Sequence, residues 1–296
     1  MHITVFPDAR AVGEALADEI ACGISAAGQA GRRYVLGSPG GRSPRPTYEA
    51  LVGQVAALRL DLTGLVIVMM DEYVVPDGTG YTPAPGTAHY SARRFAAEHI
   101  IGPLSAAAGP KRGILPDSVW FPDPADPASY DERLLEAGGI DLFILASGAS
   151  DGHVAFNPPG TPAHARTRTV ELPDSTRRDN LATFPGFSDL TEVPRHGVTI
   201  GVATIAELSA RAVLVATGAD KQRAVARLAA ADSYDPSWPA SVVAACRDPA
   251  IYADQVAAGA VTSRNAPYLL AQRNRPSSAS PLRPGHPGRP EHAPTT

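Results

Sequence analysis

Ile140-Asp141-Leu142-Phe143-Ile144-Leu145-Ala146 is followed closely by Asp151-Gly152-His153-Val154-Ala155-Phe156-Asn157-Pro158-Pro159-Gly160. An apolar run of strand length that empties into a Gly-rich loop is the unit of an open parallel sheet, whose ligands sit beyond the carboxyl ends of the strands. Asp and His two residues apart in such a loop can act together: the carboxylate orients the imidazole, and the imidazole moves a proton near pH 7. The same residues also suit a plain strand-to-helix turn with a capping Asp and an exposed His.

On either side of this stretch, β-rich apolar runs alternate with Ala-rich amphipathic segments. Residues 2–6, 34–37, 65–70, 197–202 and 212–217 read as further strands, those at 140–146, 197–202 and 212–217 being central ones. Residues 9–30, 47–57, 91–99 and 220–231 read as helices, and 75–87 as a Pro/Gly-rich loop. This order predicts an α/β fold: a Rossmann-like open, mostly parallel sheet flanked by helices on both faces. Residues 1–272 form a single domain in this reading. Residues 273–296 carry six prolines among Ser, Gly, Arg and His, which predicts a disordered Pro-rich tail in which His286 and His292 are solvated.

The 296 residues suffice for a full core, and 44% hydrophobic with 19% charged residues describe a globular chain. A formal net charge of -4 gives no electrostatic case for nucleic acid or an anionic membrane as partner. Cys22 and Cys246 make no metal motif and are expected as reduced core thiols. With no apolar run near ~20 residues and no leader pattern, the expected location is cytoplasmic.

Four strand ends carry residues suited to chemistry. Gly37-Ser38-Pro39-Gly40-Gly41-Arg42-Ser43-Pro44 lets backbone N–H groups curl toward an anion, with the Ser43 hydroxyl and the Arg42 guanidinium beside them. It matches neither a Walker loop nor a dinucleotide fingerprint. Met70-Asp71-Glu72-Tyr73 places two carboxylates that alternate in direction, so one faces the cleft; partial burial would raise its pKa toward that of a base for carbon-bound protons. The alternative for the pair is a helix cap or a salt-bridged loop. The third is the Asp151/His153 loop, and the fourth supplies the cations Arg177 and Lys221.

As an ordered set these segments resemble the glucosamine-6-phosphate deaminase/isomerase family, related more distantly to 6-phosphogluconolactonases. The set comprises the 37–44 loop, Met-Asp-Glu-Tyr at 70–73, Asp-Gly-His-x-Ala-Phe-Asn at 151–157, Arg-Thr-Arg at 166–168, Thr176-Arg177, Val193-Pro194 before Thr199-Ile200-Gly201-Val202, and Gly218-x-x-Lys221. The resemblance runs from about residue 1 to 265.

It implies that Asp71 moves a proton between C1 and C2 of a sugar, that His153 opens the pyranose ring, and that Asp151 orients His153. It implies a substrate phosphate site of Gly41, Arg42, Ser43, Arg177 and Lys221. The implied partner is a phosphorylated sugar or amino sugar, with no metal and no organic cofactor. Family members range from monomers to hexamers, so a homo-oligomer is within expectation. Three departures qualify the reading. The family has Asn-Glu-Pro where Asn157-Pro158-Pro159 stands, so a proton-relaying Glu is replaced by Pro158, and loss of such a group costs ~10²–10⁴ in rate. Arg42 replaces a small residue, and residues 76–87 match poorly. A lysine expected at 170 is Val170, so allosteric control through Arg166 and Arg168 is not predicted. An altered substrate or an isomerisation without deamination is therefore favoured; a lactone hydrolase and a catalytically silent sugar-phosphate sensor are the alternatives.

Overall fold

A computed structural model describes residues 2–259 and 261. The strands are β1 (His2–Phe6), β2 (Tyr34–Ser38), β3 (Leu65–Met69), β4 (Asp71–Pro76), β5 (Tyr81–Pro83) and β6 (Val119–Trp120), then β7 (Leu142–Ala146), β8 (Arg168–Glu171), β9 (His196–Thr199), β10 (Ala212–Ala216) and β11 (Pro249–Asp254). The principal helices are α1 (Ala9–Gln29), α2 (Arg45–Leu58), α3 (Ala92–Ala96), α4 (Gly102–Ala108), α5 (Ala128–Glu136), α6 (Asp174–Thr183), α7 (Val202–Leu208) and α8 (Gln222–Ala229). The larger sheet has the order β1-β11-β10-β7-β2-β3-β6 with every neighbouring pair parallel.

Strand periodicity divides its core cleanly. Leu65, Ile67 and Met69 face one side, where Leu16 and Ile20 of α1 and Leu51 and Val55 of α2 cover them. Val66 and Val68 face the other, with Leu134 of α5, Ile205 of α7 and Val225 of α8. In α1 the buried Val12, Leu16, Ile20 and Ile24 recur every fourth residue, and Asp8 caps the helix by accepting the Ala11 N–H at 2.8 Å. The open α/β sheet with helices on both faces is therefore as the sequence predicts.

Three local expectations are corrected. The 75–87 segment is not all loop: β4 and β5 form a hairpin, Val75 opposite Thr82, closed by the Asp77 side chain accepting the Thr79 and Gly80 N–H groups. The 197–202 strand is not central to the parallel sheet. It is β9, which pairs antiparallel with both β4 and β8 in a smaller sheet of order β5-β4-β9-β8; apolar content reports burial but not pairing direction. Cys22 is exposed on the outer face of α1 rather than in the core, whereas Cys246 is buried; both are free thiols. The tail expected over 273–296 lies outside the described residues. Among the described residues no helix is long and apolar enough to cross a membrane.

The sheet order reverses between β2 and β7: the chain runs outward through β3 and β6 on one side and lies in β10, β11 and β1 on the other. Loops leaving the two strands diverge there, which opens a crevice at their carboxyl ends.

Candidate active site

That crevice holds a cavity of about 470 Å³, within the usual size of a small-molecule site. Its wall takes in the loop after β2, Met70, Asp71 and Tyr73, the loop after β7 with His153, the inner face of α6, and Asp220 with Lys221. Rings of Tyr73 and Phe156, 4.7 Å apart between centroids, and of Tyr90, 5.3 Å from Tyr73, form an apolar side.

The adjacent carboxylates of β4 do diverge. Asp71 faces the cavity. Burial, and secondly the charge of Glu72, push its pKa up to about 7. Glu72 is fully buried on the opposite face. There it accepts the Ser91 hydroxyl and the Ala92 and Arg93 N–H groups, each at 3.0 Å, and so caps α3. Burial nevertheless raises its pKa, the four hydrogen bonds it accepts offsetting part of the shift. Of the alternatives for this pair, the helix cap falls to Glu72, and the cleft-facing position to Asp71.

In the loop after β7, Asp151 Oδ1 lies 2.7 Å from His153 Nδ1 and also accepts the His153 N–H. Asp151 Oδ2 accepts the hydroxyls of Ser175 and Thr176 at 2.8 Å each. Burial alone would raise the Asp151 pKa, but the hydrogen bond and charge of His153 hold it well below the usual carboxylate range. With Asp151 ionised, Nδ1 carries the hydrogen and Nε2 is left as the ring's proton acceptor. The close packing depends on Gly148, where a Cβ would come 2.3 Å from His153 Nδ1. Asn157 anchors the end of the loop, donating to the carbonyls of Val154 and Ile200 and accepting from Arg168. Arg166 pairs with Glu207 at the surface. Pro158 is not part of the cavity wall; its carbonyl accepts the Thr161 hydroxyl at 2.7 Å.

Of the expected anion-binding set, Gly41, Arg42, Ser43 and Lys221 come together on the wall. Gly41 has φ 87°, a conformation that favours glycine. Lys221 is buried, donates to the Ser147 carbonyl at 2.7 Å, and has its pKa lowered by burial. Arg42 lies 3.5 Å from Asp220. Arg177 does not join them. Its guanidinium donates to the carbonyls of Val193 and Leu190 and pairs with Asp174 at 2.8 Å, so it is a buried staple for residues 190–193 and is not part of the cavity wall.

The sequence reading missed the partners supplied by α6. Ser175 and Thr176 hold Asp151, while Asp179, Asn180 and Thr183 line the cavity, and Asp179 comes within 4.0 Å of His153 Nδ1. Thr176, Asp179, Asn180 and Thr183 follow helical spacing, the one signal by which the polar face could have been found. Among the described residues, Asp151, His153 and Asp179 form a group whose ligand atoms lie within 4.8 Å of one another. The oxygens of Asp151 already accept four hydrogen bonds, which leaves that carboxylate poorly placed to hold a cation as well.

Comparison with known proteins gives the chain's family and the relatives of its fold. The family described as "Glucosamine-6-phosphate isomerases/6-phosphogluconolactonase" matches residues 7–252. A glucosamine-6-phosphate deaminase of Streptomyces avermitilis is 35% identical over 226 residues, covering 76% of this chain and 80% of the relative. One of Mycolicibacterium smegmatis is 34% identical over 243 residues, covering 82% and 86%. Among solved structures, a monomeric glucosamine-6-phosphate deaminase superposes with a TM-score of 0.74 at 23% identity, covering 87% of this chain and 99% of its own. A 6-phosphogluconolactonase of Shewanella baltica gives 0.62 at 18% identity, covering 86% and 97%. At these identities both structures speak to the fold.

Proposed function

The chain belongs to the glucosamine-6-phosphate isomerase/6-phosphogluconolactonase family, and from that membership we propose that it is an enzyme that opens the ring of a phosphorylated sugar or amino sugar and shifts a proton between C1 and C2. The observation that carries the reading is the presence on one cavity wall of Asp71, with its pKa near 7, and of His153 held by Asp151. A carboxylate near neutrality suits both removal and return of a carbon-bound proton. An imidazole whose Nδ1 is fixed by a carboxylate suits proton exchange with a ring oxygen at Nε2.

In this reading the phosphate lies at the 41–43 loop and Lys221, and the sugar lies over the aromatic side. Nε2 of His153 takes the proton of the C1 hydroxyl and delivers it to the ring oxygen as the C1–O bond of the ring opens. Asp71 takes the C2 proton and returns it to C1 while a proton of the C2 hydroxyl or ammonium passes to O1, so the aldehyde becomes an alcohol, C2 becomes a ketone or protonated imine, and the steps conserve protons with no co-reactant. Pro158 offers no acid/base group and lies off the wall, which favours isomerisation over release of ammonia.

The test is NMR of glucosamine 6-phosphate and related hexose phosphates with the purified protein in deuterated water. Exchange of the C2 proton supports the proposal. Neither binding nor exchange with any of them sinks it, and rapid lactone hydrolysis without exchange moves the assignment to the hydrolase side of the family. Tight binding without turnover makes the chain a sensor.

A further inference from the structure

The cations at the anion end of the cavity already have partners within the protein. Arg42 Nη2 stands 3.5 Å from Asp220 Oδ2, and Lys221 Nζ donates to the Ser147 carbonyl at 2.7 Å. Arg177 is committed elsewhere. Asp220 and Asp179 line the cavity beside Arg42, Lys221 and His153. Both carboxylates act on the Lys221 ammonium, as do Arg42 and, more weakly, Asp151. Two wall carboxylates against two wall cations leave this end without a surplus of positive charge, a poor composition for holding a dianion.

A carboxylate in an anion site has a constructive use, because it is purely an acceptor. It can take the O–H of a singly protonated phosphate while the remaining phosphate oxygens take N–H and O–H donors. Resting on the sugar-phosphate reading above, we infer that Asp220 accepts a hydrogen bond from the singly protonated phosphate of the substrate, so that this subsite selects the phosphate monoanion over both the dianion and a sulfate ester. Arg42, Lys221 and the Ser43 hydroxyl then serve the other oxygens. The monoanion is well populated near and below the second phosphate pKa of about 6. A sulfate ester has the same shape and no proton to donate, so it meets Asp220 as like charge.

The experiment is isothermal titration of the full chain with glucitol 6-phosphate and glucitol 6-sulfate, neither of which can isomerise, for the wild type, Asp220→Asn and Asp179→Asn. It is run at about pH 5.5 and about pH 7.5, on either side of the phosphate pKa. The sulfate does not titrate, so its pH dependence reports His153, Asp71 and the other protein groups, and the phosphate-to-sulfate affinity ratio isolates the ligand proton. The expected ratio in the wild type is about tenfold or more at the lower pH and several-fold smaller at the higher, and Asp220→Asn brings it near unity by tightening the sulfate. Asp220 is a partly exposed surface side chain, and circular dichroism of the variant confirms the fold. A wild-type ratio that grows with pH overturns the inference, as does one that Asp220→Asn leaves unchanged or that Asp179→Asn alone abolishes; any of these leaves the sugar-phosphate reading standing. Failure of both esters to bind at either pH overturns that reading and the inference with it.

Discussion

The Ser91 hydroxyl donates to Glu72 Oε2 at 3.0 Å, and this contact between a strand and the start of a helix fixes which way the neighbouring Asp71 faces. Glu72 is fully buried and accepts three further backbone N–H groups, from Tyr73, Ala92 and Arg93. Its carboxylate locks β4 against α3, and strand alternation then turns Asp71 into the cavity.

Glu72→Ala should therefore lower stability by roughly 2–4 kcal/mol, since it strands several buried donors at once. Urea unfolding measures this. A change below about 1 kcal/mol would mean that water replaces the carboxylate and that the cap is dispensable.

Asp71 should leave a signature in both stability and rate. Its folded pKa of about 7 lies above the ordinary 3.8, so the fold binds a proton that the unfolded chain has lost. Stability falls as pH rises across that window, by up to about 4 kcal/mol, and levels off above it. Asp71→Asn should flatten the decline and be the more stable protein at pH 8, while losing ~10²–10⁴ in C2 proton exchange. In the wild type, exchange should rise with pH through about 7. Parallel stability curves for the two proteins would refute the raised pKa.

Ser175→Ala combined with Thr176→Val removes both partners of Asp151 Oδ2. Exchange should fall by about tenfold or more while sugar-phosphate affinity stays within about twofold, because the loss acts through the orientation of His153. The depressed Asp151 pKa contributes stability above the ordinary carboxylate range that is lost as pH falls. Wild type and double variant should thus differ in stability at neutral pH and converge in strong acid. Equal exchange rates would show that Asp151 needs no support from α6.

Arg177→Met separates a structural cation from a ligand-binding one. Its bonds to Val193, Leu190 and Asp174 predict a stability loss of roughly 2–4 kcal/mol, the cost of breaking a buried charged network. KM for the substrate should stay within about twofold. A large rise in KM with intact stability would return Arg177 to the phosphate site.

Pro158→Glu restores the acid that the family resemblance places at this position. Ammonia release from glucosamine 6-phosphate should increase at least about tenfold, toward the usual contribution of a general acid/base. No gain would show that Pro158 is not what limits the reaction.

The sequence made legible those features that one element carries alone. Strand runs such as Leu65–Met69 and the His153 loop could be read because burial and loop chemistry are local signals. The divergence of Asp71 and Glu72 followed from strand alternation. Pairing direction did not: nothing in His196–Thr199 states that its neighbours are antiparallel strands far away in the chain. Side-chain allegiance was equally hidden. Arg177 looks like a ligand-binding cation until the carbonyls of Leu190 and Val193 are folded back onto it, and Asp220 gains its meaning only beside Arg42.

Helix α6 meets the candidate site from two sides at once. Ser175 and Thr176 hold the carboxylate hydrogen-bonded to the imidazole, while Asp179, Asn180 and Thr183, one turn or two further on, line the cavity. Diversification of this cavity toward new ligands is thus constrained by inheritance on a single rod: a substitution that shifts α6 to admit a different ligand also displaces the hydroxyls that hold Asp151 beside His153. Viable new specificities should arise from side-chain exchanges at 179, 180 and 183 that leave the helix where it lies, and a directed-evolution library confined to those three positions is the economical place to look for them.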